Sequence, residues 1–407
     1  MSEFHGSASR SSTPGPSRTP PPATREKGLR RRLAELRGPD VPAKALDARA
    51  LAALAANPGC SRRAILDGAG VDKARLASAL GAPSGFGQSQ FALTRGNAFE
   101  ARVKADGGAE LLRLPHAHLD PGAEPPAGAA VPDLTAHGPE GRTARTALAL
   151  REATRAGGWT LLDHPMLALD VAGSLAFLEP DAVVVHPDGS WSVVEIKSFP
   201  VLDGSADPAK VGAAARQAAV YVLALEEVAA RLTEERAPSP RVRHQVLLVC
   251  PKDFSNLAAG SAVDIRKQRA VTARQLARLT RVEEIAEALP EGMCFAPDQS
   301  AEELTAAVAA VPATYAPECL SACELAFHCR ERSREAGAVT RLGRPLRAEL
   351  GGLTTAEDVL AAARGELGDP DDPAVAALRR AAALRAEALR TAEARARAEA
   401  EVAALCP

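Results

Sequence analysis

The stretch Pro180-Asp181-Ala-Val-Val-Val-His186-Pro187-Asp188-Gly189-Ser-Trp191-Ser-Val-Val-Glu195-Ile196-Lys197 sets the architecture of the chain. Residues 182–186 and 191–196 are short, valine-rich apolar runs. Pro187-Asp188-Gly189 between them is turn chemistry, so the segment reads as strand, turn, strand. Side chains alternate along a strand, which puts Glu195 and Lys197 on one face. An Asp entering the first strand and a Glu two residues before a Lys on the second can therefore converge at one end of the hairpin. Two carboxylates about 4 Å apart repel by roughly 4 kcal/mol at an effective dielectric near 20. A divalent cation between them removes that repulsion, and Mg²⁺ prefers oxygen ligands of this kind.

On either side of this hairpin, residues 159–162 and 175–178 are further short apolar runs, 207–232 is one long helical pattern, and 244–250 is a buried strand bounded by Pro251. Strands, a crossover helix and another strand predict an α/β core with a mixed central sheet flanked by helices. Helical extensions are expected on both sides. From Glu26 to about Leu80 the leucines recur at three- to five-residue intervals, broken by Asn57-Pro58-Gly59 with Cys60 immediately after. The expected organisation is a disordered Ser/Pro/Gly tail over 1–25, a helical segment carrying Cys60 over 26–95, and a core over 96–255. A helical segment with a cysteine cluster follows over 256–345, then a helical appendage over 346–407 that could dock a protein partner. Within the core, 115–145 reads as a surface insertion, and after 255 the chain reads as helical to its end.

Composition narrows the function classes. The formal charge of −2 excludes a polycation that coats nucleic acid, so any such binding needs a local groove. No run approaches the ~18 apolar residues of a membrane span, and the first residues lack a signal peptide's apolar core. Seven cysteines in 407 residues are too sparse for a disulfide scaffold. The expectation is a soluble, cytoplasmic protein with no membrane partner.

Four constellations carry chemistry. With 51 acidic residues and eight lysines, about one (D/E)-x-K triplet is expected by chance, and Glu195-Ile196-Lys197 is the one present. Its setting adds meaning, because charges at the end of an apolar strand are costly unless used; the alternative is an edge strand with its charged face in water. Gln217-x3-Tyr221 on the long helix places both side chains on one face, a pairing expected only about 0.03 times by chance. Gly96-Asn97-Ala98-Phe99-Glu100 is a glycine leading into a helix with a carboxylate on its first turn. Cys319-x3-Cys323-x5-Cys329 is a dense cytoplasmic cluster that points to metal, with Cys60 the best-placed fourth ligand. A 3 + 1 split over some 260 residues suits an iron–sulphur cluster, with Zn²⁺ open as the alternative because His328 adjoins Cys329.

The order Gly96…Glu100, Pro180-Asp181, Glu195-Ile196-Lys197, Gln217-x3-Tyr221 resembles the RecB-like branch of the PD-(D/E)XK nuclease superfamily. The flanking cysteines resemble its iron–sulphur members, such as the CRISPR-associated RecB-like exonucleases. The resemblance spans roughly residues 60–332 and implies a restriction-endonuclease-like sheet. It also implies Mg²⁺- or Mn²⁺-dependent hydrolysis of DNA, in repair, CRISPR adaptation or phage defence. Asp181 and Glu195 would then bind the metal with the Ile196 carbonyl, Lys197 would orient the attacking water, and Gln217 and Tyr221 would support the site. Glu100 stands where relatives often carry a histidine, and as a carboxylate there it would be a further metal ligand. Cys60, Cys319, Cys323 and Cys329 would hold a [4Fe–4S] cluster, although the Cys-x3-Cys spacing departs from the usual Cys-x2-Cys. Arg330, Arg332, Arg334, Arg341 and Arg344 are candidates to line a strand channel. A non-catalytic nucleic-acid-binding protein and a site-specific endonuclease are the rival readings.

Overall fold

The computed structural model describes residues 22–83, 90–126, 128, 130–233, 240–253 and 255–405. At its centre lies a five-stranded sheet in the order β1-β4-β5-β6-β7, with β2 and β3 paired apart from it. The strands are β1 (Thr160–Asp163), β2 (Leu167–Val171), β3 (Ser174–Leu178), β4 (Ala182–Val185), β5 (Trp191–Ile196), β6 (Gln245–Pro251) and β7 (Ala258–Asp264). β4 pairs antiparallel with β1 and β5, β5 pairs parallel with β6, and β6 pairs antiparallel with β7. The parallel pair needs a crossover, and the 26-residue helix Pro208–Thr233 supplies it. The mixed α/β architecture expected from the sequence is therefore present.

Both faces of the sheet are covered, which is why β4 and β5 are buried along their whole length. Val183, Val185, Trp191 and Val193 join the larger core with Tyr221, Val222 and Leu225 of the crossover helix and with the N-terminal helices. Ala182, Val184, Val194 and Ile196 join a second core with Phe99, Val103, Leu111 and Leu112. The period-two alternation thus sends Trp191, Val193 and Glu195 toward the crossover helix and Val194 and Ile196 toward the opposite layer.

Several boundaries differ from the sequence reading. The segment read as helical from 256 opens with β7, the sheet's edge strand, so the sheet runs on to Asp264. Its sequence, Ala-Ala-Gly-Ser-Ala-Val-Asp, has no apolar alternation, and pairing with β6 decides its conformation. Gly96 does not lead into a helix; it lies inside Gln90–Val103, and Glu100 is in that helix's last turn. The 115–145 insertion is smaller than expected. Within Ala105–Leu119 the chain is helical after the left-handed Asp106, Gly107 and Gly108 and runs through Pro115, and Gly138–Ala156 is a helix ending on the left-handed Gly157. Of the tail read as disordered, residues 1–21 lie outside the described residues, and Pro22 already begins the helix Pro22–Arg37.

The C-terminal appendage is helical as expected. Arg344–Glu349, Ala356–Arg364 and the exposed Pro373–Leu405 form it, the last two joined where Ala362 and Val375 bury. Among the described residues no helix is long and apolar enough to cross a membrane.

Candidate active site

β5 carries Glu195 into the interior, where it is 1% exposed. The Lys197 ammonium makes an ion pair with Oε1. Apart from that ion pair, neither carboxylate oxygen has a hydrogen-bond partner among the described residues. Burial, reinforced by Asp181 and only partly offset by Lys197, pushes the Glu195 carboxyl up to about 7. Asp181, just before β4, accepts a hydrogen bond on Oδ2 from the Ile196 N–H at 2.6 Å. It too is raised by burial, against the lowering effect of Lys197. For Lys197, burial works to lower the ammonium, and the charges of Glu195 and Asp181 outweigh it, so the net shift is upward. With both carboxyls ionised, the pair carries one negative charge that Lys197 does not balance, and burial disfavours that state.

The crossover helix supports this corner. Gln217 Nε2 donates to the Tyr221 hydroxyl at 3.1 Å, and that hydroxyl donates to the Glu179 carbonyl at 3.2 Å, one residue before Pro180-Asp181. Burial first, then the neighbouring Glu195, holds the phenol well above its ordinary pKa, so it stays a donor. The sequence reading of Gln217 and Tyr221 as one helix face is met by a direct contact.

Glu100 reaches the same place from the opposite layer, in company the sequence reading did not anticipate. Its Oε1 lies 2.6 Å from Lys104 Nζ and 3.0 Å from His164 Nε2. Those contacts, His164 first, hold the carboxyl down at about 2 despite burial. His164 is raised in turn, chiefly by Glu100. Lys104 Nζ also meets Asp163 Oδ1 at 2.6 Å and donates to the Asp181 carbonyl at 2.8 Å. His164 sits at φ 44, in the left-handed region where a histidine is uncommon. Its N–H on the Asp181 carbonyl and the Arg142 guanidinium on its own carbonyl hold it there.

A cleft of about 940 Å³ opens from Lys197 and Gln217. Arg49, Arg95, Lys210, Arg216 and Lys267 line it, and among the described residues Glu318 is the single acidic one. Among the described residues Arg49, Lys210, Arg216 and Lys267 form no ion pair with a carboxylate, so their charge faces the cleft's contents. These were missed because they come from four separate segments. Of the arginines proposed for the channel, Arg330, Arg332, Arg334 and Arg341 are not among the lining residues, and the Arg344 side chain lies outside what the structure describes. Arg332 instead pairs with Glu335 on its own helix turn.

The cysteines converge across the chain. Asn57 Nδ2 donates to Cys319 Sγ at 3.4 Å and Arg62 Nη1 to Cys329 Sγ at 3.3 Å. Arg63 Nη1 reaches the Ala322 carbonyl at 2.6 Å, and the Arg62 N–H bonds the Pro312 carbonyl at 2.9 Å. The turn carrying Cys60 is therefore docked on the segment carrying Cys319, Cys323 and Cys329. All four are free thiols. Burial raises the last three, Cys323 to about 11, while Arg62, Arg63 and Asn57 work the other way. Such N–H and guanidinium contacts suit sulfur that carries negative charge, as a thiolate ligand does. Cys250 is buried in β6 and belongs to the core. Among the described residues no three His, Cys, Asp or Glu side chains stand in a finished metal-holding arrangement.

No family model matches the sequence, and no curated protein matches it.

Proposed function

We propose that this chain is a divalent-metal-dependent deoxyribonuclease of the RecB-like PD-(D/E)XK kind, acting as an exonuclease. One observation carries the reading. The Glu195 carboxylate is buried beside Asp181 with the Lys197 ammonium as its one ion-pair partner among the described residues, and Lys197 in turn lines a cleft rich in cations. Two ionised carboxylates so placed carry more charge than one lysine balances, and burying the excess is costly unless a further cation offsets it. Oxygen donors of this kind fit Mg²⁺ or Mn²⁺, which Asp181 and Glu195 would hold. A bound ion of that class lowers the pKa of water and polarises a phosphate oxygen.

The chain's own residues do the rest. Lys197 orients the attacking water and takes up negative charge developing at phosphorus. Tyr221 and Gln217 fix the Glu179 carbonyl and with it the Pro180-Asp181 corner. Arg49, Arg95, Lys210, Arg216 and Lys267 track the phosphate backbone. Only 3% of the residues are aromatic, which favours backbone contacts over base stacking. Cys60, Cys319, Cys323 and Cys329 would hold a structural [4Fe–4S] cluster that pins the N-terminal helices to the segment after the core. The thiol-directed donors of Asn57 and Arg62 support this reading.

Digestion of end-labelled linear and covalently closed circular DNA, with Mg²⁺ or EDTA, tests the proposal. The expected result is loss of the linear substrate alone, abolished by EDTA and by Glu195→Gln. Cleavage of the circle makes the protein an endonuclease. Binding without cleavage in Mg²⁺ and in Mn²⁺ makes it a non-catalytic binding protein.

A further inference from the structure

We propose that Lys104 is a built-in cation standing where a second divalent metal would sit, so that the site binds one ion and not two. The inference rests on the reading of Asp181 and Glu195 as ligands of the first ion. The Lys104 ammonium is enclosed by Glu100 Oε1 at 2.6 Å, Asp163 Oδ1 at 2.6 Å, the Asp181 carbonyl at 2.8 Å and His164 Nε2 at 3.0 Å. Two carboxylates, a carbonyl and an imidazole are the donors that Mn²⁺ and its relatives take. Here they converge on a side chain that is 12% exposed.

The arrangement is specific to where this lysine sits. Lys104 follows helix Gln90–Val103 directly, one turn after Glu100, and its N–H closes that helix on the Glu100 carbonyl. A cation is favourable at such a C-terminal end. The partners come from elsewhere: Asp163 ends β1, His164 is held in its left-handed turn, and Asp181 precedes β4. Lys104 therefore ties the opposite helical layer to the main chain of a proposed metal ligand. A divalent ion beside the same donors would meet an ammonium at contact distance. Without the ammonium, Glu100, Asp163 and His164 would be a vacant donor set bordering Asp181, as the second ion of a two-metal site requires.

Mn²⁺ titration followed by calorimetry and electron paramagnetic resonance tests this on the whole protein. The wild type is expected to bind one Mn²⁺ per chain with an uncoupled signal. Glu195→Gln should lose that ion, and His164→Ala should keep it. Lys104→Met should bind two, with the spin–spin coupling of ions about 3.5–4 Å apart. Adding His164→Ala to Lys104→Met should return the count to one. Should Lys104→Met not fold by circular dichroism, Lys104→Gln carries the same expectation. Two ions in the wild type, or one in a folded Lys104 variant, overturns the inference and leaves the Asp181–Glu195 reading standing. A wild type that binds no Mn²⁺ overturns that reading and the inference with it.

Discussion

Glu195→Gln should act on stability in two opposite directions, depending on metal. The change keeps the side chain's size and removes its charge. In the metal-free protein the folded carboxyl titrates near 7 against an ordinary value of 4.5. That difference is about 2.5 units, or about 3 kcal/mol at 1.36 kcal/mol per unit. A raised carboxyl favours folding in its protonated form. Its contribution is complete below about 4.5 and is lost as pH rises through about 7. At about pH 8 the metal-free wild type carries the whole cost of an ionised, buried Glu195, and the glutamine variant carries none. Loss of the Lys197 ion pair works against the gain. That side chain is 25% exposed and can be solvated, so the loss is the smaller effect.

In EDTA at about pH 8 the variant should therefore melt above the wild type, and the gap should close toward about pH 4.5. Saturating Mn²⁺ should reverse the order. An ion that binds only the native state adds about 4.1 kcal/mol at a thousandfold excess over its dissociation constant, more than the gap of about 3 kcal/mol, and the neutral amide forgoes most of this. Thermal unfolding followed by circular dichroism at both pH values, in EDTA and in Mn²⁺, gives the four comparisons. A variant that melts below the wild type in EDTA at pH 8 would refute the burial argument. Equal stabilisation of both proteins by Mn²⁺ would refute Glu195 as a ligand.

Tyr221→Phe keeps the ring packing and frees both Gln217 Nε2 and the Glu179 carbonyl, so a loss of about 0.5–1.5 kcal/mol is expected in denaturant melts. DNA cleavage should fall less in Tyr221→Phe than in Gln217→Ala, and equal, negligible effects would make this helix face merely structural. His186 is wholly buried, with Asp120, Asp188 and Arg243 around it, and burial, aided by Arg243, lowers it from 6.5 to about 4. The unfolded chain takes up that proton first, so the wild type should lose up to about 3 kcal/mol as pH falls from 6.5 to 4. His186→Gln should lose less over the same range, as read by urea midpoints. Reversing Arg216 and Lys267 to Glu should weaken duplex binding. The salt dependence should flatten by about one unit of slope for each phosphate no longer neutralised, measured by fluorescence anisotropy across salt concentrations. Anaerobically purified protein should contain about four irons and be brown; Cys319→Ser should bleach it and Cys250→Ala should not, whereas a colourless protein holding one zinc would replace the cluster.

The central hairpin and the residues at its end follow from local pattern alone. Valine runs broken by Pro187-Asp188-Gly189 have few other ways to bury themselves, and period-two alternation then forces Glu195 and Lys197 onto one face. The 3.6-residue period of the crossover helix likewise puts Gln217 beside Tyr221, and their contact follows from spacing alone. The docking of Cys60 near Cys319 and Cys329 was legible in the density of cysteines, although the donors that hold it, Asn57 and Arg62, were not.

Other features exist only once the layers have packed. β7 lacks alternation because it is an edge strand, and backbone pairing with β6 specifies it; Gly260 is small enough there for His118 to approach within 2.8 Å of where a Cβ would stand. The cleft's cations lie between Arg49 and Lys267 in the chain, and no periodicity joins residues that distant. Lys104 could have been noticed, as one of eight lysines and four residues after Glu100. Its role depends on Asp163, His164 and Asp181, which reach it only when the β1 and β4 ends close against the opposite helical layer. Short-range periodicity fixes which side chains share a face, whereas the meeting of separate faces is set by how the layers pack.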